Sequence, residues 1–324
     1  MYDIIAVIPC LNEEAYLEPL VKKLASDCND LPIHIVIADG GSTDRTPHIA
    51  KELSQAYENV SYLHNPRKIQ SVAINLAVET YGQEATYLIR LDAHAEYPDN
   101  FCQTLINEQQ EMKADSVVVS MNTIGKSPFQ EAVAAAQNSK MGNGGASHRL
   151  KETNGKWVDH GHHALMLIKS FRGIGGYDEK FSHNEDAELD FRLTKEGLKI
   201  WLTGKVDLTY FPRATASSLF RQYRNFGSGR AKMILKHNIR PKVRQMLPAA
   251  VAPAAVLAVF SPIFAAAFIP LGAWAFLCLA YGALLGFKSH KISIAASGIA
   301  AMIMHMAWSI GFWRAFLLIK TMKR

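Results

Sequence analysis

The chain has 324 residues, of which 49% are hydrophobic and 20% charged, and this composition excludes wholesale disorder. Its length suits one large domain or two modest ones. The net charge of +6 is unevenly distributed: 20 Lys/Arg and 29 Asp/Glu lie in residues 1–207, a balance of −9, whereas residues 208–324 carry 15 Lys/Arg and no acid.

Strand-like and helix-like segments alternate along the acidic part of the chain. Such alternation predicts a doubly wound, mostly parallel α/β sheet, in which ligands bind beyond the carboxyl ends of the strands. The predicted elements are strand 3–9, helix 13–27, strand 33–38, helix 45–57, strand 60–64, helix 68–80, strand 86–91, helix 99–113, strand 116–121, helix 129–139, loop 141–146, strand 158–169, turn 173–176, helix 185–196 and a strand from 200.

The remainder of the chain is basic and apolar. Residues 213–244 contain nine Lys/Arg, and the amphipathic helix predicted at 217–237 suits a membrane interface. Uncharged runs of 43 and 22 residues follow, and about 20 apolar residues span a bilayer. We therefore expect an α/β domain at 1–212, a basic interface segment at 213–244 and a membrane domain at 245–324. The expected membrane segments are about 246–269, 271–287 and 292–313. A soluble buried helical bundle is the alternative.

The predicted topology is multi-pass in the cell (inner) membrane, with the α/β domain on the cytoplasmic face. The first apolar run is too short for a signal peptide, and Asp3 stands where such a peptide has a basic region. A turn near 270–272 returns Lys288 and Lys291 to the cytosol, as positive charge prefers. A third span would place Lys320 outside, so the side of the C-terminus stays open. Apolar spans between the basic residues argue against nucleic-acid binding.

Two polar clusters follow the first two predicted strands. Asn12 and Glu13 come shortly after Pro9, and a run of small and acidic residues, Asp39–Asp44, opens the second predicted helix. Asp39 is then placed to hydrogen-bond a ribose or base edge, as acids do in dinucleotide folds. A well-capped turn is the alternative explanation of this run.

Two further clusters contain candidate metal ligands and acids. Asp92 and His94 follow a predicted strand and could share Mg²⁺ or Mn²⁺, which usually also takes substrate phosphates. A capped loop is the alternative. Four acids open the helix predicted at 185–196, more than the preference for acids at helix N-termini explains. These acids are Glu185, Asp186, Glu188 and Asp190. His160, His162 and His163 could add a metal ligand, or could be packed and solvated histidines.

Taken in order, these motifs resemble family 2 inverting glycosyltransferases of the GT-A fold. Together with the apolar tail, the likeness is to membrane-bound enzymes of bacterial exopolysaccharide assembly, of the succinoglycan type. It covers about residues 2–230. The motifs are Ile8-Pro9-Cys10-Leu11-Asn12-Glu13, Asp39-Gly40-Gly41-Ser42-Thr43-Asp44, Asp92-Ala93-His94, Gly175-Gly176-Tyr177-Asp178-Glu179-Lys180-Phe181, Asn184-Glu185-Asp186 and the basic stretch 220–227.

The resemblance implies a role for each matching residue. Asp186 would be the catalytic base, and Asp92 would hold a Mg²⁺ or Mn²⁺ ion, with His94 standing where the family has a second acid. Arg224 would contact the diphosphate, and Arg221 would be a further donor-binding residue. They fall where processive synthases have Gln-x-x-Arg-Trp, and the missing Trp argues against a processive polymerase. The implied donor-binding residues are Pro9, Asn12, Glu13, Asp39, Gly41, Asp92, Arg221 and Arg224.

The function expected from the resemblance is inverting sugar transfer from a UDP-sugar, such as a UDP-hexose like UDP-glucose, to a membrane-borne lipid-linked saccharide. The expected partners are therefore the UDP-sugar donor, the lipid-linked acceptor and membrane lipids. Direct transfer to polyprenyl phosphate and a non-catalytic membrane scaffold are the alternatives. A nucleotidyltransferase is disfavoured because no Gly-rich basic loop follows the first strand.

Overall fold

The computed structural model describes residues 2–144, 154–241 and 243–322. The chain divides into two compact units. The first comprises Met1–Met121 and Lys151–Tyr210, and the second comprises Asn122–Leu150 and Phe211–Arg324. Residues 122–150, which sequence analysis groups with the α/β domain, therefore belong with the C-terminal residues.

The first unit is built on a sheet with helices between its strands. The strands are β1 (Ile4–Cys10), β2 (Ile33–Asp39), β3 (Val60–His64), β4 (Tyr87–Arg90), β5 (Ala95–Glu96), β6 (Ser116–Thr123), β7 (Lys156–Val158), β8 (His162–Leu167) and β9 (Ile200–Tyr210). The helices up to residue 195 are α1 (Leu17–Asp27), α2 (Thr46–Ala56), α3 (Gln70–Tyr81), α4 (Phe101–Met112), α5 (Pro128–Gln137), α6 (Lys140–Asn143), α7 (Ile168–Gly173) and α8 (Glu185–Lys195), of which α5 and α6 lie in the second unit.

The predicted α/β fold of GT-A type is confirmed, with a sheet that is more mixed than the alternation of elements predicts. Among the described residues the strand order is β3-β2-β1-β4-β8-β6-β9-β5, with β7 on β9. The strands β3, β2, β1 and β4 run parallel, whereas β8 pairs antiparallel with both β4 and β6. Buried parallel and antiparallel strands are both continuous apolar runs, so local sequence does not distinguish their directions.

The carboxyl ends of the central parallel strands meet at one edge. Cys10 at the end of β1 lies opposite Asp39 at the end of β2, and Val7 lies opposite Arg90 at the end of β4. The order of the strands reverses at β1, which is the position where open α/β sheets bind ligands. The residues that follow these three strands are therefore brought together at this edge of the sheet.

Two predicted elements of this unit differ from the structure. The first helix begins at Leu17 rather than residue 13, because Asn12 adopts a left-handed conformation and the amide of Glu13 bonds the hydroxyl of Thr46. The strand predicted at 158–169 is divided between β7, β8 and α7. A Cβ at Gly161 would overlap the Val118 side chain, so this glycine allows the close packing of the segment between β7 and β8.

The second unit is helical among its described residues. Its apolar core lies between α5, α9 and α14. Besides α5 and α6 it contains α9 (Ala216–His237), α10 (Val243–Ala249), α11 (Val251–Ala258), a 3₁₀ turn (Ala265–Phe268), α12 (Ile269–Ser289), α13 (Ile292–Ala295) and α14 (Ser297–Met322).

Two described helical stretches, Ala265–Ser289 and Ile292–Met322, are long and apolar enough to cross a membrane. Only 11% of the apolar window of the first is buried within the protein, and Phe276 and Phe287 are largely exposed. A core helix of a soluble bundle would bury these side chains, so this surface suits a lipid environment.

The segment predicted at 246–269 is not one long helix. It is divided between α10, α11 and the 3₁₀ turn, and residues 270–272, predicted as a turn, lie inside α12. Pro270 lies in the first turn of α12, where proline costs no hydrogen bond, and Gly272 lies inside the helix. The last segment extends to Met322 rather than ending at residue 313.

Helices α9 and α14 are in backbone contact. A Cβ at Gly227 would overlap the carbonyl oxygen of Trp308, and one at Gly311 would overlap that of Arg224. The hydroxyl of Ser228 donates to the carbonyl oxygen of Gly311 at 3.0 Å. The basic helix is therefore held on an apolar helix by small residues on both partners, as in close membrane-helix pairs.

Candidate active site

The loops after β1 and β2 are fastened to each other by side-chain bonds to backbone amides. The amide of Asn12 donates to Oγ of Ser42 at 2.8 Å, and the amide of Thr43 donates to Oδ1 of Asn12 at 2.8 Å. The amide of Glu13 donates to the Thr46 hydroxyl at 2.8 Å. Hydrogen bonds therefore join the two clusters that were predicted to bind the nucleotide. Pro9 lies in the adjoining strand β1.

Asp39 is buried and shapes the loop that follows it. Its carboxylate accepts from the amides of Gly41 at 3.2 Å and Ser42 at 3.1 Å, and from the Ser42 hydroxyl at 2.6 Å. Gly41 has a φ of +75°, a conformation that glycine adopts readily. The run after β2 is therefore a capped turn, as the alternative explanation proposed, and the Asp39 carboxylate that caps it lies at the carboxyl edge of the sheet.

Asp92 and His94 lie beyond the end of β4. The Nδ1 atom of His94 is 2.9 Å from Oε1 of Glu13, which links this cluster to the loop after β1. The amide of Asp92 donates to the hydroxyl of Tyr97 at 2.6 Å. Burial by itself would raise the pKa of Asp92, but the charge of Arg90 and of nearby histidines holds this pKa below its usual value.

Arg90 connects the predicted metal-binding and catalytic carboxylates. It is buried at the end of β4, and Nη1 donates to Oδ1 of Asp186 at 2.5 Å while Nη2 lies 3.4 Å from Oδ1 of Asp92. The side-chain oxygen of Gln70, in the amide orientation that satisfies both groups, accepts from the same guanidinium. One buried cation therefore holds two acids that are 94 residues apart in sequence.

Asp186 lies in the first turn of α8 and is held through a single oxygen. The hydroxyl of Tyr177 donates to the same Oδ1 at 2.9 Å. Burial would raise the pKa of Asp186, but the charge of Arg90 and then of His163 holds it below its usual value. Neighbouring Glu185 behaves oppositely, because burial and then the charge of Asp186 raise its pKa to about 7.

The other acids of α8 have separate partners. Glu188 pairs with Arg192 one turn later at 2.7 Å. Asp190 is buried, and two imidazoles contact its carboxylate. Nδ1 of His160 lies 2.6 Å from Oδ2, and Nε2 of His163 lies 2.7 Å from Oδ1. Although burial would raise the pKa of Asp190, the charge of these histidines holds it well below its usual range. Only Asp186, of the four, faces Arg90 in the described contacts.

Arg221 and Arg224 lie on α9 in the second unit, with Arg221 exposed and Arg224 partly buried. The loop predicted at 141–146 is partly the short helix α6, and its residues 145 and 146 lie outside the described residues.

The carboxylate oxygens of Asp92, with an imidazole nitrogen nearby, suit a divalent ion that is also bound by a substrate. Within residues 2–144, 154–241 and 243–322, no group of three or more His, Cys, Asp or Glu side chains is arranged as metal ligands. One or two protein ligands together with substrate phosphates are usual for Mg²⁺. An ionised carboxylate with an imidazole nearby, from His94 or His162, meets that requirement.

The sequence profile described as "Glycosyl transferase family 2" matches residues 5–175, more than half of the chain. The chain belongs to this family. The matched residues of this family 2 glycosyltransferase include most of β1, all of β2 and β4, and the loops that follow these three strands.

Two curated proteins show how far this glycosyltransferase's similarity extends. It is 51% identical over 311 residues to succinoglycan biosynthesis protein ExoA of Rhizobium meliloti (strain 1021), covering 96% of this chain and 94% of that protein. It is 25% identical over 241 residues to a Methanococcus voltae enzyme, covering 71% and 73% respectively. That enzyme is named dolichyl N-acetyl-alpha-D-glucosaminyl phosphate 3-beta-D-2,3-diacetamido-2,3-dideoxy-beta-D-glucuronosyltransferase.

Among solved structures, the fold is similar to that of mannosyltransferase PcManGT from Pyrobaculum calidifontis, in complex with GDP-Man and Mn²⁺. The TM-score is 0.55 at 16% identity, covering 94% of this chain and 87% of that chain. The likeness establishes the shared fold of the two glycosyltransferases.

Sequence reasoning missed two residues of this site. Arg90 is the one charged residue in the apolar strand β4, and a charge in a buried strand two residues before Asp92 is a signal that could have identified it. Tyr177 lies within the motif at residues 175–181, but no local sequence pattern indicates that its hydroxyl reaches Asp186.

Proposed function

We propose that this family 2 enzyme transfers a sugar, such as a hexose like glucose, from a UDP-sugar to a membrane-borne lipid-linked saccharide in exopolysaccharide or cell-surface glycan biosynthesis. The observation that carries the proposal is the arrangement of Asp92 and Asp186 on one buried guanidinium, Arg90, at the carboxyl edge of the sheet. The name of the 51% identical relative supports the biosynthetic role.

Donor binding is assigned to the fastened loops after β1 and β2. In this proposal Asn12, Glu13 and Asp39 face the nucleoside, and the Gly41 backbone leaves room beside the diphosphate. The complex of PcManGT with GDP-Man and Mn²⁺ supports a nucleotide-sugar donor.

Asp186 is proposed as the general base. Its Oδ1 is occupied by Arg90 and Tyr177, and Oδ2 would take the proton of the acceptor hydroxyl. As that oxygen forms its bond to the anomeric carbon, the bond from this carbon to the diphosphate breaks, and the electron pair leaves with UDP. Attack opposite the leaving group inverts the anomeric configuration, so an α-linked donor gives a β-linkage.

Asp92, with an imidazole, would hold Mg²⁺ or Mn²⁺, which supplies charge neutralisation at the leaving diphosphate. Arg90 keeps the carboxylate of Asp92 ionised and in place for this role. Asp92→Asn is expected to weaken metal-dependent donor binding.

The acceptor and the location are proposed from the second unit. Its apolar helices and basic α9 favour an enzyme in the inner membrane with several spans and a cytoplasmic catalytic unit. The Methanococcus voltae relative is named for a dolichyl-phosphate-linked sugar acceptor, which supports a lipid-linked saccharide here. Enzyme and acceptor on one membrane surface encounter each other more often.

The proposal is tested by sugar transfer in membranes that contain the protein. Labelled UDP- and GDP-sugars are offered with extracted lipid-linked acceptors, in Mn²⁺ or in chelator. We expect label from a UDP-sugar in an elongated lipid-linked saccharide, reduced about 10²–10⁴-fold by Asp186→Asn with UDP binding retained. Asp99→Asn is the matched control, because this side chain is 81% exposed.

Three outcomes contradict parts of the proposal. If Asp186→Asn transfers sugar at the wild-type rate, Asp186 is not the general base. Label in a polyprenyl monosaccharide phosphate, without elongation, favours direct transfer to polyprenyl phosphate. Absence of both UDP binding and transfer favours the membrane scaffold.

A further inference from the structure

Three histidines lie within four residues at the start of β8. Two of them, His160 and His163, converge on the carboxylate of Asp190 at 2.6 Å and 2.7 Å. The third, His162, lies elsewhere: its Nε2 atom is 3.5 Å from Oδ2 of Asp92. His162 and His163 are successive residues of β8, and successive side chains of a strand project to opposite faces. His163 therefore points toward Asp190 and His162 toward Asp92.

Asp190 contacts the segment 160–163 through a backbone amide as well as through the two imidazoles. It is buried on α8, one helical turn after Asp186, and its Oδ2 also lies 3.3 Å from the amide nitrogen of Gly161, which donates to it. On its other nitrogen, Nδ1, the ring of His163 is 2.9 Å from the hydroxyl of Ser116. The backbone that carries His162 is thus held against the helix that carries Asp186.

The two histidines near Asp92 differ in what they contact. His94 directs Nδ1 toward Glu13 at 2.9 Å, whereas His162 directs Nε2 toward Asp92 itself. The other oxygen of Asp92, Oδ1, faces Arg90. One oxygen of the Asp92 carboxylate therefore faces the guanidinium of Arg90, and the other faces the imidazole of His162.

We propose that His162 is the imidazole ligand that binds the divalent cation together with Asp92, and that Asp190 is the residue that positions it. The inference rests on the proposed function, since the cation would be the one shared with the donor diphosphate. Ligand bonds of about 2.1 Å place two ligand atoms at most about 4.2 Å apart, and the observed 3.5 Å lies within that limit. Phosphate oxygens and water would supply the remaining ligands.

An imidazole ligand has a consequence for metal preference. Oxygen ligands suit Mg²⁺, whereas nitrogen ligands shift preference toward transition-metal ions. A site with Asp92 and His162 should therefore prefer Mn²⁺ to Mg²⁺, and His162→Asp should reverse or narrow that preference while it keeps a ligand at the position.

The test is Mn²⁺ binding to the purified full chain in detergent with UDP present, measured from the electron paramagnetic resonance signal of free Mn²⁺. We expect His162→Ala to raise the Kd at least tenfold and Asp190→Asn to raise it about tenfold, as loss of an outer partner commonly does. His162→Asp should regain affinity and bind Mg²⁺ relatively better. His48→Ala is the control, because His48 lies on α2 and pairs with Glu52.

Unchanged Mn²⁺ affinity in His162→Ala, or loss confined to His94→Ala, overturns the inference. Absence of Mn²⁺ binding by the wild-type protein with UDP present overturns it as well. Sugar transfer in the same preparations separates this failure from that of the proposed function: transfer that persists in chelator leaves glycosyl transfer standing without this metal site. Unfolding temperatures of the variants identify any that lose the fold, and His162→Asp then provides the comparison.

Discussion

The guanidinium of Arg90 donates to Oδ1 of Asp186 at 2.5 Å, and both groups are largely withdrawn from solvent. The same guanidinium faces Asp92, so the acid proposed to hold the metal and the acid proposed to act as base are fixed by a single buried charge. Removal of this cation would leave two largely buried carboxylates without their counter-charge. The pair therefore determines both the geometry of the site and part of the stability of the first unit.

Arg90→Met is expected to lower the free energy of unfolding by about 3–5 kcal/mol, because it leaves buried carboxylates without their counter-charge. The measurement is chemical unfolding of the purified chain, followed by tryptophan fluorescence. Arg67→Met is the matched control: Arg67 pairs with Glu179 but its side chain is 56% exposed, and exposed pairs contribute about 0–1 kcal/mol. Equal effects of the two substitutions would contradict the role of Arg90.

Glu185→Gln should change the dependence of stability on pH. The folded pKa of Glu185 is raised to about 7 from 4.5, so the folded state binds a proton that the unfolded state releases. This contribution to stability is fully present below about pH 4.5 and is lost as pH rises through 7. The variant should therefore match the wild type near pH 4.5 and have a higher unfolding temperature at pH 8. Exposed Glu79 supplies the control, Glu79→Gln, and a constant difference at all pH values would refute the prediction.

Gly227→Ala and Gly311→Ala should each separate α9 from α14, since an added methyl group overlaps a backbone carbonyl of the partner helix. Overpacking of this kind typically costs about 1–3 kcal/mol. We expect a lower unfolding temperature in detergent and reduced sugar transfer. Gly173→Ala is the control, because a Cβ at that position has no neighbour within 4 Å. Unaltered stability in all three variants would show that the two helices are not in backbone contact.

The positions of the strands and of the polar clusters after them were predictable from the sequence. Strand β3 coincides with its predicted range, and β1, β2 and β4 differ from theirs by one residue at the ends. Ligand sites in such sheets lie beyond strand ends, so Asn12, Asp39 and Asp92 could be singled out before their contacts were known.

Contacts between residues distant in sequence were not predictable. Arg90 meets Asp186, and His162 lies toward Asp92, because strand order and register bring these side chains together. The antiparallel pairing of β8 with β4 decides this arrangement, and the apolar residues of β8 are compatible with either direction.

The sequence by itself therefore determined the α/β character of the first unit, the apolar helices of the second and the positions of the strand-end clusters, since hydrophobic periodicity and charge are local properties. The tertiary structure decided which polar groups share a partner: Arg90 for Asp92 and Asp186, and Asp190 for His160 and His163. The physical reason is that a buried charge must find its counter-charge within a few ångströms, and packing selects which distant residue provides it.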